Sequence, residues 1–240
     1  MVFVSVVIAR WMKFAPGPMP AGMNVVKLWR PWNGVDMTDL DTLSAEQICT
    51  RLHAQGEVTH DVPPELLPAS PREAAVLVPF VRIREAWHVL YIRRTQNDND
   101  RHSGQVAFAG GKRDPEDHSL RDTALREAEE ELGIAKGDVN VLGHIHHHHT
   151  VSEFQVRPYV GMMPWPYRLT LDQIEVAHAF TMPLAWLADA SNYRVEHRQH
   201  PDSNRPWPVV YYDLYQGELL WGATARMTLS LIQVLQRSDL

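Results

Sequence analysis

Three glutamates lie close together near the middle of the chain, and their spacing places them on one face of a helix. Glu127, Glu130 and Glu131 occupy positions i, i+3 and i+4, which are neighbours on a helix surface. Carboxylates this close repel, and each like-charge pair costs a helix roughly 0.2–0.5 kcal/mol. A positive partner should offset that repulsion. Because clustered oxygen ligands select hard divalent cations, the three glutamates predict a site for Mg²⁺ or Mn²⁺.

Closely spaced glutamates are also typical of a solvated acidic surface helix. The residues around Glu127, Glu130 and Glu131 decide between that alternative and a metal site. Gly110 and Gly111 let the backbone turn tightly after a predicted strand, and a free carbonyl there could reach the same cation. The opposite helix face carries Leu125, Ala128 and Leu132, which can anchor it against a sheet. A strand, a Gly-Gly loop and an acidic helix together predict a metal-binding cradle.

Residues 110–134 resemble the Nudix box, G-x(5)-E-x(7)-R-E-U-x-E-E-x-G-U, in which U is aliphatic. Residues 126–134 match its second half without a gap. The first half departs, because Gly111 stands one residue early and His118 occupies the position expected for glutamate. The loop is therefore one residue longer, and Asp117 could take the place of that glutamate and neutralise Arg126.

Four further segments narrow the resemblance to the coenzyme A diphosphatase branch of that family. In order along the chain they read HSGQVAFAGGKRDPED, TVSEFQVRPYVG, EVAHAFTMPLAWL and LLWGATARM. Together with the box they cover residues 74–235 but leave residues 1–40 uncovered. Two positions depart from the branch pattern, since Ala109 stands for its proline and Glu153 for a glycine.

The resemblance implies an α+β fold, a mixed α/β/α sandwich in which a mixed β-sheet lies between helices and the box forms a loop–helix–loop. It implies hydrolysis of the pyrophosphate bond of coenzyme A or its derivatives to 3′,5′-ADP and 4′-phosphopantetheine. Another nucleoside diphosphate derivative, such as ADP-ribose, a dinucleotide or a nucleotide sugar, is the alternative substrate. A non-catalytic ligand-sensing domain is the third hypothesis, which the retention of mutually repelling acids disfavours.

The reaction assigns roles to residues of the box and to one acid outside it. We expect the divalent ion to be held by Glu127, Glu130, Glu131 and the backbone of Gly111. Arg126 would orient a carboxylate, and Glu130 would share the catalytic cluster. The base that activates water stays open between Glu127 and Glu175, a loop acid that could move within hydrogen-bond reach.

A polyanionic substrate must meet local cations, because the chain as a whole carries a net charge of −6. An arginine fork suits phosphate well. A solvated surface position is the alternative for each basic residue near the box. The predicted substrate-binding residues are Arg93, Arg94, Arg101, His102, Lys112 and Arg113.

Composition excludes several other classes of protein. A net charge of −6 argues against general nucleic-acid binding, which needs a basic face. Cys49 is the single cysteine, so neither an intramolecular disulfide nor a cysteine-based zinc site can form, and we expect a cytoplasmic location. The longest apolar run, residues 2–9, is too short to span a membrane, which takes about 20 residues. A small molecule is the expected partner, and a homodimer is left open.

The surrounding elements must hold the glutamates in place. We predict an irregular leader over residues 1–40 and a single Nudix domain over residues 41–240, with the box at about 110–134. Its helices are predicted over 43–54, with Ser44 as N-cap, over 117–133, ended by Gly133, over 183–190 and over 222–236. Its strands are predicted as a hairpin of 74–83 and 87–94, strands over 105–111, 139–145 and 154–163, and a hairpin around Gln216 and Gly217.

A run of histidines lies outside these assignments. His144 and His146–His149 place alternate imidazoles on one side of a strand, which could bind a transition metal. The favoured interpretation is a polar loop or strand end beside the site, because histidine-rich tracts are only a compositional signal.

Overall fold

The structure is a computed structural model that describes residues 39–55, 70–96, 103–150, 154–199 and 206–237. The predicted leader, apart from its last two residues, lies outside this part of the chain, as does most of the proline-rich segment before residue 70. Arg101 and His102, two of the predicted substrate-binding residues, also lie outside it.

The described residues form four α-helices and ten β-strands. The helices are α1 (Ala45–His53), α2 (Leu120–Leu132), α3 (Leu184–Ala188) and α4 (Gly222–Leu235). The strands are β1 (Arg72–Ile83), β2 (Ala86–Arg94), β3 (Val106–Ala107), β4 (Gly110–Lys112), β5 (Asn140–His144), β6 (His148–His149), β7 (Phe154–Met162), β8 (Val176–Pro183), β9 (Tyr193–Gln199) and β10 (Pro206–Tyr212).

An eight-stranded mixed sheet forms the centre of the molecule. Its main path runs β3-β2-β1-β7-β5, with β4 paired to β1, β6 to β7 and β8 to β2. Only β1 and β7 are parallel, and the other pairs are antiparallel. The predicted β1–β2 hairpin is confirmed, and its turn places Arg84 and Glu85 at positive φ. Such turns match the twist of paired strands.

Helices cover both faces of the sheet. Alternate residues of β1 point to opposite sides, and those facing α2 form a buried cluster in which Leu77 packs with Ala128 and Leu132. The other side packs against α1, α3 and α4 through residues such as Leu187 and Ile232. Each fully buried Leu or Ile contributes roughly 1.5–3 kcal/mol to stability. The predicted α+β fold, a sheet between helices, is therefore confirmed.

The acidic helix α2 is bounded by residues that suit its two ends. The Ser119 hydroxyl accepts a hydrogen bond from the Asp122 N–H, and Gly133 ends the helix in the left-handed conformation at φ 68°. Gly133 is thus confirmed as the stop. The predicted start at residue 117 is wrong, because the Asp117 carboxylate accepts the Asp114 N–H and the segment before Ser119 forms a loop.

Two predicted strand patterns are corrected by the pairing. The single strand predicted over 105–111 is two strands, because the chain leaves β2 and crosses to β1 between β3 and β4. The turn predicted at Gln216 and Gly217 is present, because Tyr215 and Glu218 form an antiparallel bridge across it. The flanking residues form only isolated bridges, and the regular partner of β10 is β9. The pattern missed β9 because Arg194, Glu196 and Arg198 alternate along it without an apolar period.

The remaining helix predictions agree with the structure. Ser44 caps α1 in a reciprocal capping box with Gln47, and α4 lies within the range predicted for the C-terminal helix. Pro183 precedes α3 as its N-cap rather than standing inside its first turn. Among the residues described, no helix combines the length and the apolar character that crossing a membrane would need.

Candidate active site

The glycine loop and the acidic helix meet at Gly111 and Glu127. A Cβ atom added to Gly111 would stand 2.5 Å from Oε1 of Glu127, so any side chain at this position would displace the carboxylate. The glycine is held there by β4, where it pairs with Ala75 of β1. The predicted approach of the Gly-Gly backbone to the glutamate face is therefore observed.

Arg126 organises the acidic face from one side. Its Nε and Nη2 atoms donate to the two carboxylate oxygens of Asp117, each at 3.0 Å, and Nη2 also donates to the Lys112 carbonyl at 3.3 Å. Its Nη1 atom lies 3.0 Å from Oε1 of Glu127 and donates to Oε2 of Glu130 at 3.0 Å. Asp117 thus forms the arginine pair despite the longer loop.

The environment of Asp117 keeps that carboxylate ionised. Burial alone would raise its pKa, but hydrogen bonds from Arg126, from the Asp114 N–H and from the Thr123 hydroxyl lower the pKa to about 2. The Thr123 hydroxyl is fully buried and donates to Oδ2 at 2.8 Å. Thr123 is a site residue that the sequence patterns did not predict, although a hydroxyl six residues after the acid and inside the helix is a signal that could have identified it.

Glu131 is the most buried of the three glutamates, at 3% exposure. Its pKa is raised to about 8, chiefly by burial. The charge of Arg94 and a hydrogen bond with the Gly110 backbone lower the pKa, whereas the charges of Glu127 and Glu175 raise it further. Its Oε2 atom has no hydrogen-bond partner among the residues described. A buried carboxylate oxygen in this state is costly unless a cation joins it.

Glu175 and Arg94 complete the same cluster from the sheet edge. The Arg94 guanidinium lies 3.7 Å from the Glu175 carboxylate, and the Glu175 carbonyl accepts the Thr95 N–H at 3.0 Å. Glu175 also raises the pKa of Glu127, although burial is the largest cause of that rise. Its side chain is about half exposed, so this acid, far away in sequence, stands beside the helix glutamates at the solvent boundary.

The donor set fits a hard divalent ion. Glu131 offers an oxygen without a partner, Glu127 lies against a glycine that leaves room, and both groups are carboxylates. Within the part of the chain described, no three acidic, histidine or cysteine side chains already converge as a finished metal site. Glu130 is turned toward Arg126. Glu127 and Glu131 are therefore the residues that would hold the ion.

The other predicted substrate-binding residues are spread around the box. Arg93 donates to Glu218 at 3.1 Å, Arg113 donates to Glu73 at 2.9 Å, and Lys112 is exposed. Of the four in the described part, Arg94 alone is brought to the buried carboxylates. The sequence analysis missed Glu218, because 125 positions separate it from Arg93.

The histidine run divides between a half-buried loop, which holds His146 and His147, and a buried strand. His148 and His149 make up β6 and are 4% and 7% exposed. Burial, followed by the charge of Arg226 on α4, lowers the pKa of His148 well below its usual value. No group of three potential ligands for a transition metal occurs here or elsewhere in the described ranges. The favoured interpretation, a loop or strand end, therefore agrees with the structure, while the expected polarity is wrong for the two buried histidines.

Comparison with known proteins identifies the family. The model of the NUDIX domain matches residues 71–193. A Yersinia enterocolitica protein named "Uncharacterized Nudix hydrolase NudL" is 38% identical over 173 residues, 69% of this chain and 82% of that protein. A Pectobacterium atrosepticum protein of the same name is 39% identical over 180 residues, 74% of this chain and 90% of that protein. The solved MutT/nudix family protein from Enterococcus faecalis superimposes with a TM-score of 0.45 and 14% identity, over 82% of this chain and 71% of that chain. By the domain match and the two relatives, the chain belongs to the Nudix family and is a Nudix pyrophosphohydrolase.

Proposed function

We propose that this Nudix hydrolase splits the pyrophosphate bond of coenzyme A or its derivatives into 3′,5′-ADP and 4′-phosphopantetheine, with Mg²⁺ or Mn²⁺ bound. Nudix hydrolases generally use divalent ions. One observation carries the hydrolytic part of the proposal, namely the buried carboxylate of Glu131 whose Oε2 has no hydrogen-bond partner in the described chain. A cation at that oxygen would compensate the burial of the charge.

A bound divalent ion would neutralise the anionic oxygens of the pyrophosphate and lower the pKa of a coordinated water. The chain's own residues divide the remaining work. Glu127 and Glu131 would hold the ion, and Arg126 keeps Glu127 and Glu130 in place. The water oxygen bonds to one phosphorus, the bridging P–O bond breaks, and the water proton passes to a carboxylate. Glu127 and Glu175 are the two candidates for that base.

The choice of coenzyme A is supported by segments that are distant in sequence and adjacent in space. The segment before the box reaches β2 through the Arg94 N–H, which donates to the Gln105 carbonyl at 2.9 Å. The segment that begins at Glu175 reaches the same strand end through the Thr95 N–H. Two of the segments that resemble the coenzyme A diphosphatase branch therefore meet beside the buried glutamates.

Other assignments remain proposals or alternatives. A Nudix hydrolase for ADP-ribose, a dinucleotide or a nucleotide sugar is the second candidate, because the carboxylates recognise only the pyrophosphate that these substrates share. A non-catalytic domain is disfavoured by family membership together with the intact acidic cluster. A cytoplasmic location and a homodimer stay predictions, as do the domain limits at residues 41 and 240.

A substrate panel tests the proposal directly. Purified protein is incubated with coenzyme A, ADP-ribose and NADH, with and without Mg²⁺ or Mn²⁺, and the products are separated by chromatography. We expect coenzyme A to yield 3′,5′-ADP and 4′-phosphopantetheine only when Mg²⁺ or Mn²⁺ is present. If coenzyme A stays intact while ADP-ribose is cleaved, the second candidate replaces the first.

A further inference from the structure

A partly buried arginine lies among the histidines that follow β5. Arg157 of β7 donates from Nε to Nδ1 of His147 at 3.4 Å, and its Nη1 lies 3.2 Å from Nε2 of His144. Across the described ranges, Arg157 forms no ion pair with a carboxylate, and its Nη2 donates to no residue there. The guanidinium is therefore surrounded by imidazoles, which carry no compensating negative charge.

The charges around this cluster leave it positive. Burial lowers the pKa of Arg157, against smaller opposing effects of Tyr159 and Glu73. The Glu73 carboxylate is already bonded to Arg113 at 2.9 Å. Burial and then the Arg157 charge hold the pKa of His147 at about 4, so its imidazole is neutral at pH 7. A partly buried cation without a direct carboxylate partner is costly unless an anion joins it.

We propose that Arg157, His144 and His147 form an oxyanion site that takes a phosphate group. Nε and Nη1 of the guanidinium contact the two histidines, so Nη2, which carries two N–H groups, is the atom that can donate to a phosphate. His147 accepts from Arg157 at Nδ1, so its proton is on Nε2 and can be donated to the phosphate. His144 accepts from Arg157 at Nε2 and donates from Nδ1 to the Ile145 carbonyl, so it holds the guanidinium in place. A metal cation, by contrast, would be repelled by the guanidinium, so the histidine run suits an anion better than a transition metal.

The proposed site is separate from the catalytic carboxylates. Arg157 pairs with Ala75 across β7 and β1, and Ala75 pairs with Gly111 across β1 and β4. Two strand spacings put the backbone of Arg157 about 10 Å from that of Gly111. The phosphate could therefore be free in solution, or could belong to a nucleotide whose pyrophosphate lies at Gly111. The nucleotide as the source of the phosphate rests on the proposed function, whereas free phosphate does not.

Thermal unfolding with inorganic phosphate tests the site. The whole chain is studied in a chelating buffer without divalent ions, with phosphate replacing chloride at constant ionic strength. We expect a saturable rise in Tm for the native chain and its loss in Arg157→Gln. Arg157→Lys keeps the charge without the fork, so it should weaken binding at least threefold. Arg168→Gln, at an exposed loop arginine, serves as the matched control and should behave as the native chain.

A second measurement avoids dependence on the folding of the variants. In the native chain, phosphate should shift the imidazole NMR resonances of His144 and His147 and leave that of exposed His197 unchanged. If 3′,5′-ADP competes with inorganic phosphate, the occupant is the phosphate of a nucleotide. If 3′,5′-ADP does not compete, the occupant is free phosphate. No saturable binding, or equal binding by Arg157→Gln, would overturn the site. Because no divalent ion is present, failure of coenzyme A hydrolysis leaves this result unaffected.

Discussion

Asp117 and Arg126 are joined by two parallel hydrogen bonds of 3.0 Å, which link the glycine loop to the acidic helix. Asp117→Asn removes the charge that supports both bonds. We expect this change to cost roughly 1–3 kcal/mol of unfolding free energy at pH 7, because the Arg126 guanidinium would lose the Asp117 carboxylate, which accepts two of its hydrogen bonds. Urea unfolding measures the loss. Glu116→Gln, at an exposed acid of the same loop, should leave the unfolding free energy within about 0.5 kcal/mol of the native value.

Gly111→Ala tests the contact between the loop and the helix. The added Cβ would meet Oε1 of Glu127 at 2.5 Å and push the carboxylate from its position. We expect kcat to fall at least tenfold, while circular dichroism still reports a folded chain. Gly137→Ala is the matched control, since a Cβ there has no neighbour within 4 Å. Equal activity of the two variants would show that the Glu127 position is not needed.

Glu131→Gln separates the role of the carboxylate in catalysis from its effect on stability. The pKa of Glu131 is about 8 in the folded chain and 4.5 as its ordinary value. Without metal, the unfolded chain therefore releases this proton at a lower pH than the folded chain does. The contribution of Glu131 to stability falls as the pH rises from about 4.5 to 8. We expect the variant to lose hydrolysis and to be more stable than the native chain at pH 8 in a chelating buffer.

Divalent ions give the complementary result for the same variant. Mg²⁺ or Mn²⁺ should raise the Tm of the native chain at pH 8, because an ion that binds only the folded chain stabilises it. The rise should disappear in Glu131→Gln and persist in Glu129→Gln, at an exposed glutamate of the same helix. Retained turnover in Glu131→Gln would refute its role as a ligand.

The buried histidines predict instability in acid. The pKa of His147 is held at about 4 and that of His148 well below 6.5, in both cases chiefly by burial. Unfolded histidines bind protons near pH 6.5, so the unfolded chain gains protons first as the pH falls. The contribution of these two histidines to stability should therefore be present above about pH 6.5 and be lost towards pH 4, opposite in sign to the contribution of Glu131. This range lies above that in which Asp117 takes up its proton.

Urea midpoints at pH 7.5 and 5.5 measure this effect. We expect the stability at pH 7.5 relative to that at pH 5.5 to be lower in His148→Leu than in the native chain, because the variant has no imidazole to protonate on unfolding. His197→Leu, at an exposed histidine of β9, should keep the native difference. An unchanged difference in His148→Leu would mean that other groups control the acid response.

The sequence by itself determined the elements whose signals are local. The acidic helix, its Gly133 stop, the β1–β2 hairpin, the capped α1 and the C-terminal helix follow from spacing, caps and periodicity within a few residues. The placement of Glu127, Glu130 and Glu131 on one face of the helix belongs to the same class, because helix geometry alone puts positions i, i+3 and i+4 there.

Only the tertiary structure decided which of these groups are buried and what they meet. Glu130 and Glu131 are adjacent in sequence, yet one is exposed and bonded to Arg126 while the other lies 3% exposed with an oxygen that has no described partner. The placement of Glu175 beside them, and of Arg157 among the histidines, depends on strand pairing between distant segments. Burial and long-range pairing arise from the packing of whole elements, so no short stretch of sequence contains them.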